Sequence, residues 1–234
     1  MKRFWKNVTV ESEGAIGPGH GYGLWLDGKP VKTPGRAPLR LPNPNLAEAV
    51  AFEWRAVSED IDPRAMPLTG LANAAIDRVG TAHDSFAAGL AAYGETDLLY
   101  YRANSPEPLV ARQAAAWDPL LDWARWRYNV DFETATGVMH HPQPPATVAR
   151  LAQAVRALDA FHLAGMSPVV TIGGSLIAAL ALLEGHATRD TIWAAVETDE
   201  DWQVEQWGDD DIAIKARETR KRDFDAGARF LSLL

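Results

Sequence analysis

Residues 39–57 read Leu39-Arg40-Leu41-Pro42-Asn43-Pro44-Asn45-Leu46-Ala47-Glu48-Ala49-Val50-Ala51-Phe52-Glu53-Trp54-Arg55-Ala56-Val57, and the hydrophobic period changes within them. Leu39-Arg40-Leu41 alternates, as a short strand with one buried face does. From Asn45 the spacing becomes three and four, with Leu46, Ala49, Val50, Glu53, Trp54 and Val57 on one helical face. Pro44 introduces that helix, because the first helical position needs no N–H donor. The chain N-terminal to this point is strand-like and rich in Gly and Pro, and the chain beyond Pro67 is almost entirely helical in period. The expected fold class is therefore α+β: a small sheet-plus-helix domain over residues 1–66, then a larger all-α helical bundle over residues 67–234.

On the strand side, Val8-Thr9-Val10 and Tyr22-Gly23-Leu24-Trp25-Leu26 are short alternating runs. Asp27-Gly28 is a hairpin dipeptide, since glycine supplies the positive φ of the favoured two-residue turns, and it leads into Pro30-Val31-Lys32-Thr33. On the helical side, Leu71, Ala75, Ile76 and Val79 stripe a helix over Leu68 to Val79, and Pro106 and Pro108 open another with Val110, Ala114 and Trp117 inward. Asp118-Pro119 predicts a cap followed by a separate or kinked helix from Leu120 to Tyr128, because an interior proline removes a hydrogen bond and clashes. Gly137 to Pro145 is expected to be a loop, Thr147 a cap, and Ser167-Pro168 the start of an apolar core helix that Gly185 closes. Thr188 begins the next helix, and Ala213 to Leu234 forms the last.

The 234 residues are 47% hydrophobic and 23% charged, enough apolar content for a packed core and too much for disorder. With no cysteine, a disulfide framework, a thiolate metal site and a cysteine nucleophile are all excluded. Met1 to Lys6 is basic but lacks an apolar core, so it is not a secretory signal, and Val169 to Leu183 is shorter than a bilayer span. The net charge of −8 argues against a nucleic-acid or membrane partner. Its placement is more informative than its size. Glu197, Asp199, Glu200, Asp201, Glu205, Asp209, Asp210 and Asp211 fall in one stretch without Lys or Arg, and the rest of the chain is neutral.

Enzymatic motifs are missing. Gly17, Gly19, Gly21 and Gly23 precede a strand rather than a helix, which suits a strand connection and not a phosphate cradle. Gly173-Gly174-Ser175 lacks the last glycine of a nucleophile elbow, Ile177 standing there instead. His140-His141 is the lone histidine pair; a metal-dependent hydrolase using it is the alternative from another class, and a scaffold with a different client is a third. No catalytic, metal-binding or cofactor-binding residue and no small-molecule substrate are expected. Of the nine tryptophans, Trp117, Trp123 and Trp126 are expected to pack in the core. Trp202 and Trp207 instead sit among the carboxylates, where an interface aromatic is more natural. Lys215, Arg217, Arg220, Lys221 and Arg222 follow, so pairing within the chain is the competing account of the acidic stretch.

Several blocks, in order and spanning nearly the whole chain, resemble the assembly chaperones of F-type ATP synthase that act on its alpha subunit. They are Phe4-Trp5-Lys6, Leu26-Asp27-Gly28-Lys29-Pro30-Val31-Lys32-Thr33-Pro34, Glu53-Trp54, Met66-Pro67-Leu68-Thr69 with Ala72-Asn73 and Ile76-Asp77-Arg78, Tyr93 with Thr96-Asp97-Leu98-Leu99, Tyr101-Arg102-Ala103, Arg112-Gln113, Trp117-Asp118-Pro119-Leu120-Leu121-Asp122-Trp123, and Asp199-Glu200 through Trp202-Gln203 to Trp207-Gly208. The resemblance implies a non-enzymatic, ATP-independent chaperone that holds the unassembled alpha subunit soluble until it joins the catalytic hexamer. It also implies an acidic residue shortly after Trp207-Gly208. The expected partner-binding residues are Glu200, Trp202, Gln203, Glu205, Trp207, Asp209, Asp210 and Asp211. The family works in the bacterial cytoplasm and the mitochondrial matrix, and a start without an Arg/Ser-rich transit segment favours the cytoplasm.

Overall fold

The computed structural model describes residues 2–13, 21–137 and 139–234. The chain divides into two compact units, one made of Met1–His83, Asp159–Gly165 and Arg229–Leu234, the other of Asp84–Leu158 and Met166–Ala228. Gly17, Gly19 and His20 lie outside the described residues; Gly21 and Gly23 belong to a strand.

In the first unit β1 (Val8–Glu13) pairs antiparallel with β2 (Gly21–Leu26), setting Val8 opposite Leu26. On its other edge β2 pairs with β3 (Lys29–Pro30) and β4 (Arg40–Leu41). Asp27 and Gly28 both have positive φ, 48° and 78°, the pairing that a two-residue hairpin turn requires. The Asp27 carboxylate also accepts the N–H groups of Lys6 and Asn7, the latter at 2.8 Å. These bonds hold its carboxyl below the usual carboxylate range.

Helix α1 (Pro44–Ala56) starts with Pro44 in its first turn and the Asn43 side chain accepting the Leu46 N–H at 2.9 Å. Its buried Leu46, Ala47, Val50 and Ala51 join Leu24, Leu26, Leu41 and Leu68 in the core. Glu53, on the same helix, caps α2 (Pro67–Ala74) by accepting the N–H groups of Leu68 and Thr69, both at 2.8 Å. The helix expected to run regularly to Val79 widens into a π turn over Ala75–Val79.

The late segments complete this unit: Phe161 stacks on Phe230, Phe230 is fully buried in the core, and Asn43 Nδ2 donates to the Leu233 carbonyl at 2.8 Å. The compact unit thus extends past residue 66 to His83 and takes in chain from the far end. The four-stranded sheet with α1 and α2 leaves apolar surface that Phe161 and Phe230 fill.

The second unit holds α3 (His83–Ala91) from Asp84 onward, α4 (Glu107–Tyr128), α5 (Pro145–Arg156), α6 (Ala160–Gly173) from Met166, α7 (Leu176–Leu183), α8 (Arg189–Val196), α9 (Thr198–Trp207) and α10 (Asp211–Ser232) as far as Ala228. Its strands are β5 (Tyr101–Arg102) and β6 (Ala135–Thr136), paired in parallel. Helix α4 packs against α7, α8 and α9. Trp117 is fully buried there and donates its indole N–H to the Ala195 carbonyl at 2.7 Å.

Proline positions account for three departures from the sequence reading. Pro119 lies inside α4, which runs unbroken for 22 residues. Burial of Trp117, Leu120, Leu121 and Ala124 on either side outweighs the hydrogen bond that the Ala115 carbonyl loses. Pro145, not Thr147, opens α5, and the Thr147 hydroxyl donates to the Asp131 carbonyl at 2.8 Å. Pro168 is interior to α6, and the apolar run splits at Gly173-Gly174 into two helices, the second capped by Ser175. Trp126, expected in the core, is 82% exposed. Among the described residues no helix is long and apolar enough to cross a membrane.

Candidate partner-binding site

The acidic stretch forms α9, whose carboxylates divide into those engaged by cations and those left open. Glu197, just before α9, is 4% exposed and meets Arg217 at 2.9 Å and Arg220 at 3.3 Å. Burial, and then the neighbouring Glu200, raise its pKa above the ordinary carboxylate value, against the pull of the two arginines. Asp201 pairs with Arg217 and Glu200 with Arg220, so one side of α9 is tied to α10. On the other side, Glu205 accepts from Arg112 of α4 at 2.8 Å and Asp199 Oδ1 accepts from Gln113 at 2.7 Å.

The expected partner-binding residues therefore separate. Glu200 and Glu205 face cations of this chain. Trp202, Gln203 and Trp207 line one groove of about 680 Å³ with Leu98, Tyr101 and Leu109. Trp207 is 78% exposed at the last position of α9. Gly208, at φ 78°, ends the helix and donates its N–H to the Val204 carbonyl at 2.8 Å. Asp209 and Asp211 are exposed without an ion pair among the described residues. Asp210 is also exposed, but its Oδ1 accepts the N–H groups of Ile212 and Ala213, each at 2.8 Å, and so caps α10. Ile212 follows, 82% exposed.

Asp199 and Ile212 were missed by the sequence reading. Asp199 stood in the carboxylate run and in a block of the family resemblance but not among the expected partner-binding residues; its distinction, a place in the groove with Trp202, comes from the phase of α9. Ile212 interrupts an otherwise polar stretch, the one available signal. His140 and His141 are exposed, with Tyr101 Oη 3.4 Å from His140 Nδ1. Among the described residues no three His, Asp or Glu side chains converge as a metal site would require.

This arrangement sets exposed aromatic and aliphatic side chains beside carboxylates without an ion pair among the described residues, a chemistry suited to a macromolecular partner. The ATP12 chaperone protein family matches residues 2–125. The chain is 43% identical to Atp12 from Paracoccus denitrificans, with 99% of this chain and 97% of that chain covered and a TM-score of 0.93. A mutant form of the same Paracoccus protein matches at 42% identity, with the same coverage and TM-score. Atu1473 of Agrobacterium tumefaciens, named as a candidate chaperone, matches at 39% identity, with 99% and 85% covered and a TM-score of 0.91. The chain belongs to the ATP12 chaperone family.

Proposed function

We propose that this chain is a non-enzymatic, ATP-independent assembly chaperone that binds the unassembled alpha subunit of F-type ATP synthase in the bacterial cytoplasm, prevents its aggregation and promotes assembly of the catalytic hexamer. The supporting observation is the exposure of Trp207 and Ile212 at the turn from α9 to α10, next to Asp209 and Asp211. Large apolar side chains so exposed are suited to cover subunit surface that is later buried in the assembly. Binding there lowers the free concentration of the aggregating species by mass action, and a better-fitting neighbour subunit then displaces the chaperone.

The structure also selects the variants that test this reading. Reversing Glu200 breaks a pair inside the chain and reversing Asp210 removes a helix cap, so neither isolates binding. Trp207→Ala, Ile212→Ser and Asp211→Lys touch exposed groups. Each is expected to reduce capture of the purified alpha subunit while leaving the thermal midpoint unchanged. Undiminished capture by the triple variant contradicts the assignment.

A further inference from the structure

We propose that the groove beside α9 receives a cationic side chain, an arginine or lysine carried by the client; this rests on α9 being a client-binding element. Tyr101, Trp202 and Trp207 bring three aromatic rings to that groove, with Leu98 and Leu109 alongside and Asp199 among them. One oxygen of Asp199 is taken by Gln113 at 2.7 Å, and Oδ2 has no partner among the described residues. The cation of this lining, Arg102, is engaged elsewhere. Its guanidinium lies 5.2 Å from the Trp117 ring centre, and Nη2 stands 2.8 Å from Asp118 Oδ1, off the line of a hydrogen bond.

The chemistry of the lining decides between occupants. A purely aliphatic side chain would strip water from Asp199 and return no hydrogen bond, an unfavourable exchange for a carboxylate. A guanidinium or ammonium supplies the missing donor to Oδ2 and presents its charge to the aromatic faces, which attract cations through their quadrupole. The surroundings act in the same direction. Asp199, Asp209, Asp210 and Asp211 have no ion pair among the described residues, whereas the cations near α9, Arg112, Arg217 and Arg220, are committed to Glu205, Asp201, Glu197 and Glu200. The open carboxylate of Asp199 in the groove thus favours a cationic visitor over an anionic one.

The test uses the full chain with ¹⁵N-labelled tryptophan and three probes: Nα-acetyl-arginine amide, its neutral citrulline analogue and Nα-acetyl-leucine amide. The arginine amide is expected to shift the indole N–H resonances of Trp202 and Trp207 saturably, and the other two to leave them in place. Asp199→Asn, which still accepts from Gln113, should weaken the response about fivefold, and Trp207→Leu, at an exposed position, should abolish it. Equal shifts with leucine amide, or none with arginine amide, overturn the proposal. If arginine amide fails while the chain still captures the alpha subunit, the groove inference falls alone; if it binds while the alpha subunit is not captured, the groove inference survives and the client assignment falls.

Discussion

Asp97 shows how a single side chain both builds the second unit and sets its response to pH. It is fully buried, and its carboxylate accepts the Leu99 N–H at 3.1 Å and the Ile177 N–H at 3.0 Å, fastening the turn that carries Leu98 to the start of α7. Burial pushes its pKa up to about 6 from 3.8, against the hydrogen bonds from Ile177, Ser175, Leu99 and Leu176. A raised folded-state value means the folded chain holds the proton more tightly. The stabilisation it confers is complete below 3.8 and lost as pH rises through about 6. Between pH 7 and pH 4 the wild type should therefore gain about 2 kcal/mol relative to Asp97→Asn. Urea denaturation at the two pH values measures this, and a difference that stays flat refutes it. Gly165 gives a steric counterpart: a Cβ there would lie 2.8 Å from Leu231 Cδ2 and 3.0 Å from Phe230 Cδ1. Gly165→Ala should destabilise by about 1–3 kcal/mol, read as a lower urea midpoint at unchanged slope; an unchanged midpoint contradicts the close approach.

At the scale of elements, the period of the sequence located α1, the Asp27-Gly28 hairpin and the Thr188 start of α8, because each is specified by neighbours in the chain. Prolines misled where tertiary packing overrides a local rule. Pro119 and Pro168 were expected at helix starts, yet both lie inside helices. If packing alone keeps α4 continuous through Pro119, Pro119→Ala should stabilise the chain by about 1–3 kcal/mol; a loss on chemical denaturation would show that the ring itself is needed there. The acidic stretch was recognised as special, but which carboxylates are available was not legible, since Arg112 meets Glu205 from 93 residues away. The same holds for the blocks that carry the family resemblance: Glu53 caps the helix of Pro67-Leu68-Thr69, Asp77 accepts from Thr33 and Gly35, and Gln113 joins Ala103 to Asp199. They are one another's hydrogen-bond partners, a relation that spacing along the chain does not show. Because Glu200 is tied to Arg220, Glu200→Lys should lower the thermal midpoint where Asp211→Lys does not; equal midpoints would sink the internal-pairing account of α9.

On the scale of the whole molecule, the α+β class and the order of sheet before helices were legible, while the return of the chain to the first unit was not. Phe230 reads in sequence as one apolar residue of a terminal helix; only the folded chain shows it buried with Leu24, Leu41 and Leu46. Deleting Phe230–Leu234 should therefore expose the first unit to proteolysis and lower its stability by several kcal/mol, the order expected for losing a buried aromatic and its neighbours. Retention of full protease resistance would contradict the assignment of these residues to that core. The central claim is that this fold carries a surface for one client. Its most direct measurement is the soluble yield of the alpha subunit co-expressed with this chain, with the beta subunit and an unrelated aggregation-prone protein in parallel. The account predicts that the alpha subunit alone is rescued and co-purifies, and that Trp207→Ala with Ile212→Ser removes the rescue; an alpha subunit that stays insoluble, or rescue of all three proteins alike, would contradict it.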